Sequence, residues 1–185
     1  MTLVVIGVAM ILTIGFTGLC SFNPGKPENG PVREVDSSTF LKMEANRVSY
    51  PVVSPEVPEG WTPNSNRAGN INGEQSTVLG YVTPVGAFLQ ITQTAVAADK
   101  LPADGKARTE NGVADVDGNQ WKKYEPVDDN DRPVWVGTIG KTSVMLEGTA
   151  PEAEFEELAR AAQKAKPIDP AVLNETSAPA SQPEN

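Results

Sequence analysis

The chain opens with an unbroken apolar run, Leu3 to Phe22 (LVVIGVAMILTIGFTGLCSF), and no charged side chain occurs between Met1 and Gly25. About 20 apolar residues suffice to span roughly 30 Å of hydrocarbon, so residues 1–22 are predicted to form one transmembrane helix. Gly7, Gly15 and Gly18 would weaken an isolated helix in water but are common in membrane spans. A cleaved signal peptide and a lipoprotein signal at Cys20 fit less well. The run is long for a signal core, lacks a basic start, and places Leu19 where a small residue would precede a lipidated cysteine.

The pattern then breaks. Residues 23–36 (NPGKPENGPVREVD) are dense in Pro and Gly without apolar periodicity, which predicts a tether. A short helix is expected to start with Asp36 or Ser37 as cap and to bury Phe40, Leu41 and Met43. Tyr50 to Val53 is the first strand-like run, and Pro55 to Trp61 reads as a turn that carries a large aromatic into the core.

Period-2 alternation is clearest in two hairpins. Ser76–Thr83 and Ala87–Thr94 form the first, with Leu89 and Ile91 on one face and Gln90 and Thr92 on the other. Pro133–Ile139 and Thr142–Gly148 form the second about a Gly140-Lys141 turn, with Val144 and Leu146 alternating with Ser143 and Met145. Asp117-Gly118 is a favoured hairpin turn leading into Gln120–Pro126. Five to six strands follow.

A closing helix is marked by Phe155, Leu158, Ala159 and Ala162 at helical spacing, with Thr149 and Glu152 at capping-box separation. Its glutamates crowd the first half while Arg160, Lys164 and Lys166 fill the end, matching the helix dipole. Pro167 onward is too poor in apolar residues to fold alone. The expected fold is therefore α+β, an antiparallel sheet of five to six strands covered by a C-terminal helix. The expected organisation is a transmembrane anchor at 1–22, a flexible tether at 23–36, a domain at 37–166 and a disordered tail at 167–185.

Composition narrows the chemistry. Of 185 residues, Asp and Glu number 24 against 15 Lys and Arg, and the net charge of −9 offers no basic stripe for nucleic acid. With no histidine, the commonest general base and metal ligand are missing, so any catalysis must run on carboxylates, Lys, Tyr, Ser or Thr. The single Cys20 cannot form an intramolecular disulfide. Asp128, Asp129 and Asp131 could offer oxygen ligands to a hard cation, but no Gly stands sixth and no Glu twelfth from Asp128 or Asp129, as a calcium loop requires. Asp115, Asp117 and Asn119 are better used in a turn.

No Ser-x-x-Lys spacing and no phosphate-binding glycine loop occurs. Lys141 falls in a turn, and Lys122 with Lys123 alternates across a strand, which leaves at least one of them in water. Tyr81, Trp121, Tyr124 and Trp135 could line an apolar pocket under the helix, although strand aromatics in a small domain are core first. No catalytic, cofactor-binding or metal-ligating residue is assigned, and no cofactor.

Taken together, the apolar N-terminus, CSFNPGKPENGPVREVD, PEGW, GYVTPVGAFLQITQT and VWVGTIGKTSVMLEGTAPEAEFEELARAA resemble an uncharacterised family of actinobacterial membrane-anchored proteins, a domain of unknown function, over Cys20 to about Lys166. The final stretch also looks like PsbP-like and sensor-type envelope domains at the level of fold. The family resemblance implies an N-terminal anchor with the domain outside the cytoplasm, whereas Lys26 and Arg33, the nearest basic residues, lie on the domain side and by charge bias alone would place it inside.

The expected function is a non-catalytic module at the cell membrane, single-pass and extracytoplasmic, binding an envelope protein, glycan or lipid. Its surface would be the sheet face or the loop around Asp128. A carboxylate hydrolase of envelope glycans using Asp128, Asp131 or Glu125 is the alternative. A lipid carrier with an apolar cavity between sheet and helix is the third reading.

Overall fold

A computed structural model describes residues 34–103 and 105–169. The predicted anchor at 1–22, nearly all of the tether and the tail from residue 170 lie outside the described residues. Among the described residues no helix is long and apolar enough to cross a membrane.

The elements run α1 (Ser37–Arg47), β1 (Thr62–Ile71), β2 (Glu74–Val82), β3 (Phe88–Thr94), a 3-10 turn (Ala98–Ala103), β4 (Arg108–Val116), β5 (Asn119–Pro126), β6 (Val134–Ile139), β7 (Thr142–Gly148) and α2 (Glu152–Lys164). The strands form a seven-stranded sheet ordered β1-β2-β3-β7-β6-β5-β4, and each neighbouring pair is antiparallel. This confirms the α+β class, the antiparallel sheet and the C-terminal helix, and corrects the strand count. The predicted hairpins are β2/β3 and β6/β7, and their final strands pair with each other at the middle of the sheet.

The two strands that the pattern missed, β1 and β4, are the sheet edges. β1 (TPNSNRAGNI) contains no fully buried residue and β4 only two, so neither shows alternation of apolar and polar positions. Edge strands of this kind are polar because only one flank and part of one face are covered. Tyr50 to Val53, expected as a strand, instead crosses the sheet with an isolated bridge from Val53 to Pro167.

One face of the sheet carries the main core. Leu79, Leu89, Ile91, Trp121, Trp135, Val144 and Leu146 meet Leu41 of α1 and the predicted stripe Phe155, Leu158, Ala159 and Ala162 of α2. Trp135 stacks at 5.3 Å on Phe155, and Gly137 leaves room for the indole of Trp121, since a Cβ there would approach the ring at 2.8 Å. The opposite face holds a smaller cluster of Val96, Leu101, Val134, Val136 and Met145 beneath the 3-10 turn. The central strand β7 is therefore buried on both faces.

Two local expectations change. Met43 is exposed, and α1 instead buries Leu41, Glu44 and Ala45. Thr149 does not cap α2, whose N-cap is Pro151; its hydroxyl accepts the Phe88 N–H at 3.3 Å while its own N–H donates to the Phe88 carbonyl at 2.8 Å. Thr149 thus extends the β3–β7 pairing.

The buried carboxylates Glu44 and Glu147 are paired, as burial in low dielectric demands. On the main core face, Glu44 is joined to Arg47 by two hydrogen bonds and accepts the Thr77 hydroxyl, which meets the Tyr50 hydroxyl at 2.8 Å. On the opposite face, Glu147 binds Lys106 at 2.6 Å and accepts from Gln90 at 2.8 Å, with Arg108 at 3.7 Å. Arg108 also donates to the Pro102 carbonyl, so this cluster holds the 3-10 turn against the sheet.

The crossing segment has no strand on which to satisfy its backbone, and sheet side chains together with the backbone after α2 serve instead. The Gln93 carboxamide accepts the Val53 N–H at 2.8 Å and donates to the Val53 carbonyl at 2.9 Å. Thr142 donates to the Pro51 carbonyl at 2.6 Å, and the Ile168 N–H donates to the Val52 carbonyl at 2.8 Å.

Gln93→Leu keeps the side-chain volume but strands both buried polar groups of Val53, and is expected to lower the unfolding free energy by about 2–4 kcal/mol. Equilibrium urea unfolding followed by tryptophan fluorescence measures this. A loss under about 0.5 kcal/mol would show that the pairing contributes little.

Candidate functional site

The acidic loop is built from internal contacts. Asp128 accepts both the backbone N–H and the side-chain amide of Asn130 at 2.8 Å, which pulls its pKa below the usual carboxylate range. Asp131 lies 3.7 Å from Lys106, and Glu125 accepts from Asn111 at 3.4 Å. These contacts tie the three carboxylates of the hydrolase reading to three different neighbours. Asp115 accepts the Gly118 N–H at 2.9 Å, and Asp117, in the left-handed conformation of its turn, pairs with Arg160 at 3.3 Å. Among the described residues no group of three or more His, Cys, Asp or Glu could hold a metal ion.

The lysines and aromatics also separate. Lys141 is exposed in its turn, Lys122 pairs with Glu110, and Lys123 pairs with Glu152 while lying over Trp135 at 5.8 Å. Tyr81, Trp121 and Trp135 join the main core, whereas Tyr124 packs against the smaller cluster on the opposite face. The four do not form one pocket.

The concave feature with converging polar groups lies elsewhere. After the clamp at Val53 the chain runs through Ser54–Val57, which makes no backbone–backbone hydrogen bond among the described residues. Pro55 and Pro58 have no N–H to offer. The chain is fixed again where Trp61 donates its backbone N–H to Pro58 and packs edge-on against Tyr81 at 6.1 Å.

Between this segment, the start of α1 and the sheet lies a cleft of about 530 Å³. Its floor is core: Leu41, Leu79 and Tyr81, each 1% exposed. Val35, Pro63 and Val57 complete an apolar wall, and Glu34, Asp36, Ser38 and Ser54 are polar lining residues.

The wall at α1 is held by Asp36. Its carboxylate accepts the backbone N–H groups of Ser38 at 3.0 Å and Thr39 at 3.2 Å and both of their hydroxyls, holding its pKa down at about 2. The chain before it is tied to edge strand β1 by Val35 N–H to Pro63 O and by Asn66 to the Asp36 carbonyl, each at 3.1 Å.

Among the described residues, two hydroxyls in the cleft lining lack partners. The buried Ser37 hydroxyl has none. The phenol of Tyr81 has no hydrogen bond among the described residues, and burial alone pushes its pKa above the ordinary value, so it stays a neutral donor. A pocket with apolar walls and a few convergent polar groups is the usual form of a small-molecule site. Sequence reading placed Tyr81 among core aromatics and Ser37 as an alternative helix cap, a role that Asp36 takes. The only local signal is a Tyr where Phe would fill the same core position without a hydroxyl to satisfy.

A second cleft, of about 580 Å³, lies on the other side of the same segment and shares Ser54 and Val57 with the first. Its opposite wall is the last two turns of α2 with Arg160, Ala161 and Lys164.

Residues 1–162 match the model of a family described as Protein of unknown function (DUF4245). The chain belongs to that family. No curated protein and no solved structure matches the chain. DUF4245 membership covers the apolar N-terminus, both predicted hairpins and nearly all of α2. It assigns the cleft no role.

Asp36 supplies a direct check on the cleft wall. Its folded pKa lies below 3.8, so its contribution to stability is complete above about 4 and is lost as pH falls through about 2. Carbon-13 NMR titration of the Asp36 carboxyl is expected to give a midpoint near 2. A midpoint near 3.8 would mean that the cap at α1 is not formed.

Proposed function

We propose that this protein is a non-catalytic binding module that takes the apolar part of an amphipathic ligand into the cleft beneath Ser54–Val57. Residues 1–22 tether the domain to the cell membrane as a single-pass anchor, with the domain on the extracytoplasmic side. The observation that carries the reading is a cleft floored by Leu41 and Leu79 whose lining holds two hydroxyls without a partner among the described residues, the buried one of Ser37 and the phenol of Tyr81. An unmet buried hydroxyl costs stability, and a bound polar group would offset that cost. The apolar floor favours an acyl-like body, and the membrane tether would keep the module beside a lipid source.

Tyr81→Phe separates a binding role from a packing role. Removing a hydroxyl that makes no hydrogen bond within the domain, while keeping the ring, is expected to leave stability within about 1 kcal/mol of wild type. Binding of a fluorescent fatty acid such as cis-parinaric acid is expected to weaken by about threefold to tenfold. Ser54→Trp, which places bulk at the exposed mouth, should abolish the fluorescence rise at an unchanged melting temperature. If the wild-type chain gives no saturable signal, or if Ser54→Trp leaves it intact, the cleft is not the site.

A further inference from the structure

The second cleft is walled by opposite charges that do not meet. Loop residues Glu56 and Glu59 line one side, and Arg160, Lys164 and Lys166 line the other. Among the described residues no ion pair joins the two sets. Arg160 and Lys164 reach Asp117 at 3.3 and 4.0 Å, and Glu56, Glu59 and Lys166 make no ion pair with any described residue. Glu157 is the third carboxylate of the cleft and lies on the cationic wall.

Opposite charges that line one cleft without forming an ion pair suit a ligand that carries both signs. Val57, 38% exposed, and Ser54 line both clefts, so a chain laid over them would pass from the apolar cleft into the charged one.

Building on the proposed binding of an amphiphile, we infer that the second cleft is its headgroup subsite and that the ligand is a zwitterionic phospholipid with a primary ammonium. The ammonium donates to Glu56 and Glu59. The phosphodiester lies against Lys164 and Lys166, with Arg160 beside it, where charge-assisted hydrogen bonds to phosphate oxygens are strongest. A quaternary ammonium is disfavoured because its recognition relies on aromatic faces, and no aromatic residue lines this cleft. A headgroup of net negative charge would leave Glu56 and Glu59 unmatched.

The test uses the full-length chain in uncharged maltoside micelles with an equimolar mixture of phosphatidylethanolamine, phosphatidylcholine and phosphatidylglycerol of identical acyl chains. Native mass spectrometry reads which lipid is retained. Phosphatidylethanolamine is expected to exceed each of the others by about fivefold, the selectivity of one partly solvated ion pair. E56Q/E59Q should bring it down to the phosphatidylcholine level. K164Q/K166Q should lower the retention of both, since they share the phosphate.

All four substituted residues are exposed, so folding is not at stake. Equal retention of the three lipids, or a preference that survives E56Q/E59Q, overturns the headgroup assignment and leaves the apolar cleft standing. Retention of none overturns both.

Discussion

The covering layer of this domain depends on one buried carboxamide. Gln93 satisfies both backbone groups of Val53, a residue 1% exposed on a segment that has no strand beside it. Burying an unpaired peptide group costs a few kcal/mol, so the crossing at Pro51–Val53 needs partners, and Gln93, Thr142 and Ile168 supply them. With that crossing fixed, α1 lies over β1 and β2 while α2 covers β4 and β6, and the chain that joins α1 to β1 passes between the helices.

The same constraint accounts for the clefts. Fixed at Val53 and again at Trp61, the stretch between is interrupted by Pro55 and Pro58 and cannot pair along the sheet. It stands between two open volumes, one floored by core side chains and one walled by charge. In a domain that pairs its buried Glu44 and Glu147, the buried Ser37 hydroxyl in the cleft lining stays without a partner among the described residues, and the Tyr81 phenol there makes no hydrogen bond. Breaches of that kind concentrate where a ligand completes the structure.

Much of the fold was legible from the chain alone, and physics explains which parts. β2, β3, β6 and β7 meet core on at least one face, so their apolar residues alternate or run together, and α2 repeats its buried positions at helical spacing. β1 and β4 are edges whose stability comes from backbone pairing, which leaves little side-chain signal. Tyr50–Val53 is apolar enough to imitate a strand, because Tyr50, Val52 and Val53 are buried, although its backbone finds partners in Gln93, Thr142 and Ile168 rather than along a strand. Met43 was misplaced because the amphipathic signal of α1 is weak and the buried position one residue on is Glu44, whose burial depends on Arg47. The cleft was not legible at all. Ser37 and Tyr81 are brought together by a packing of α1 on β2 that no local pattern encodes.

The most direct test of the central claim is photo-crosslinking of the full-length chain with a fatty acid carrying a mid-chain diazirine, with labelled residues mapped by tandem mass spectrometry. The cleft assignment predicts labels at Leu41, Val57, Leu79 and Tyr81, suppressed by excess unlabelled fatty acid. Labels confined to the N-terminal apolar segment or to the outer face of α2, or labels that excess fatty acid fails to suppress, would contradict it.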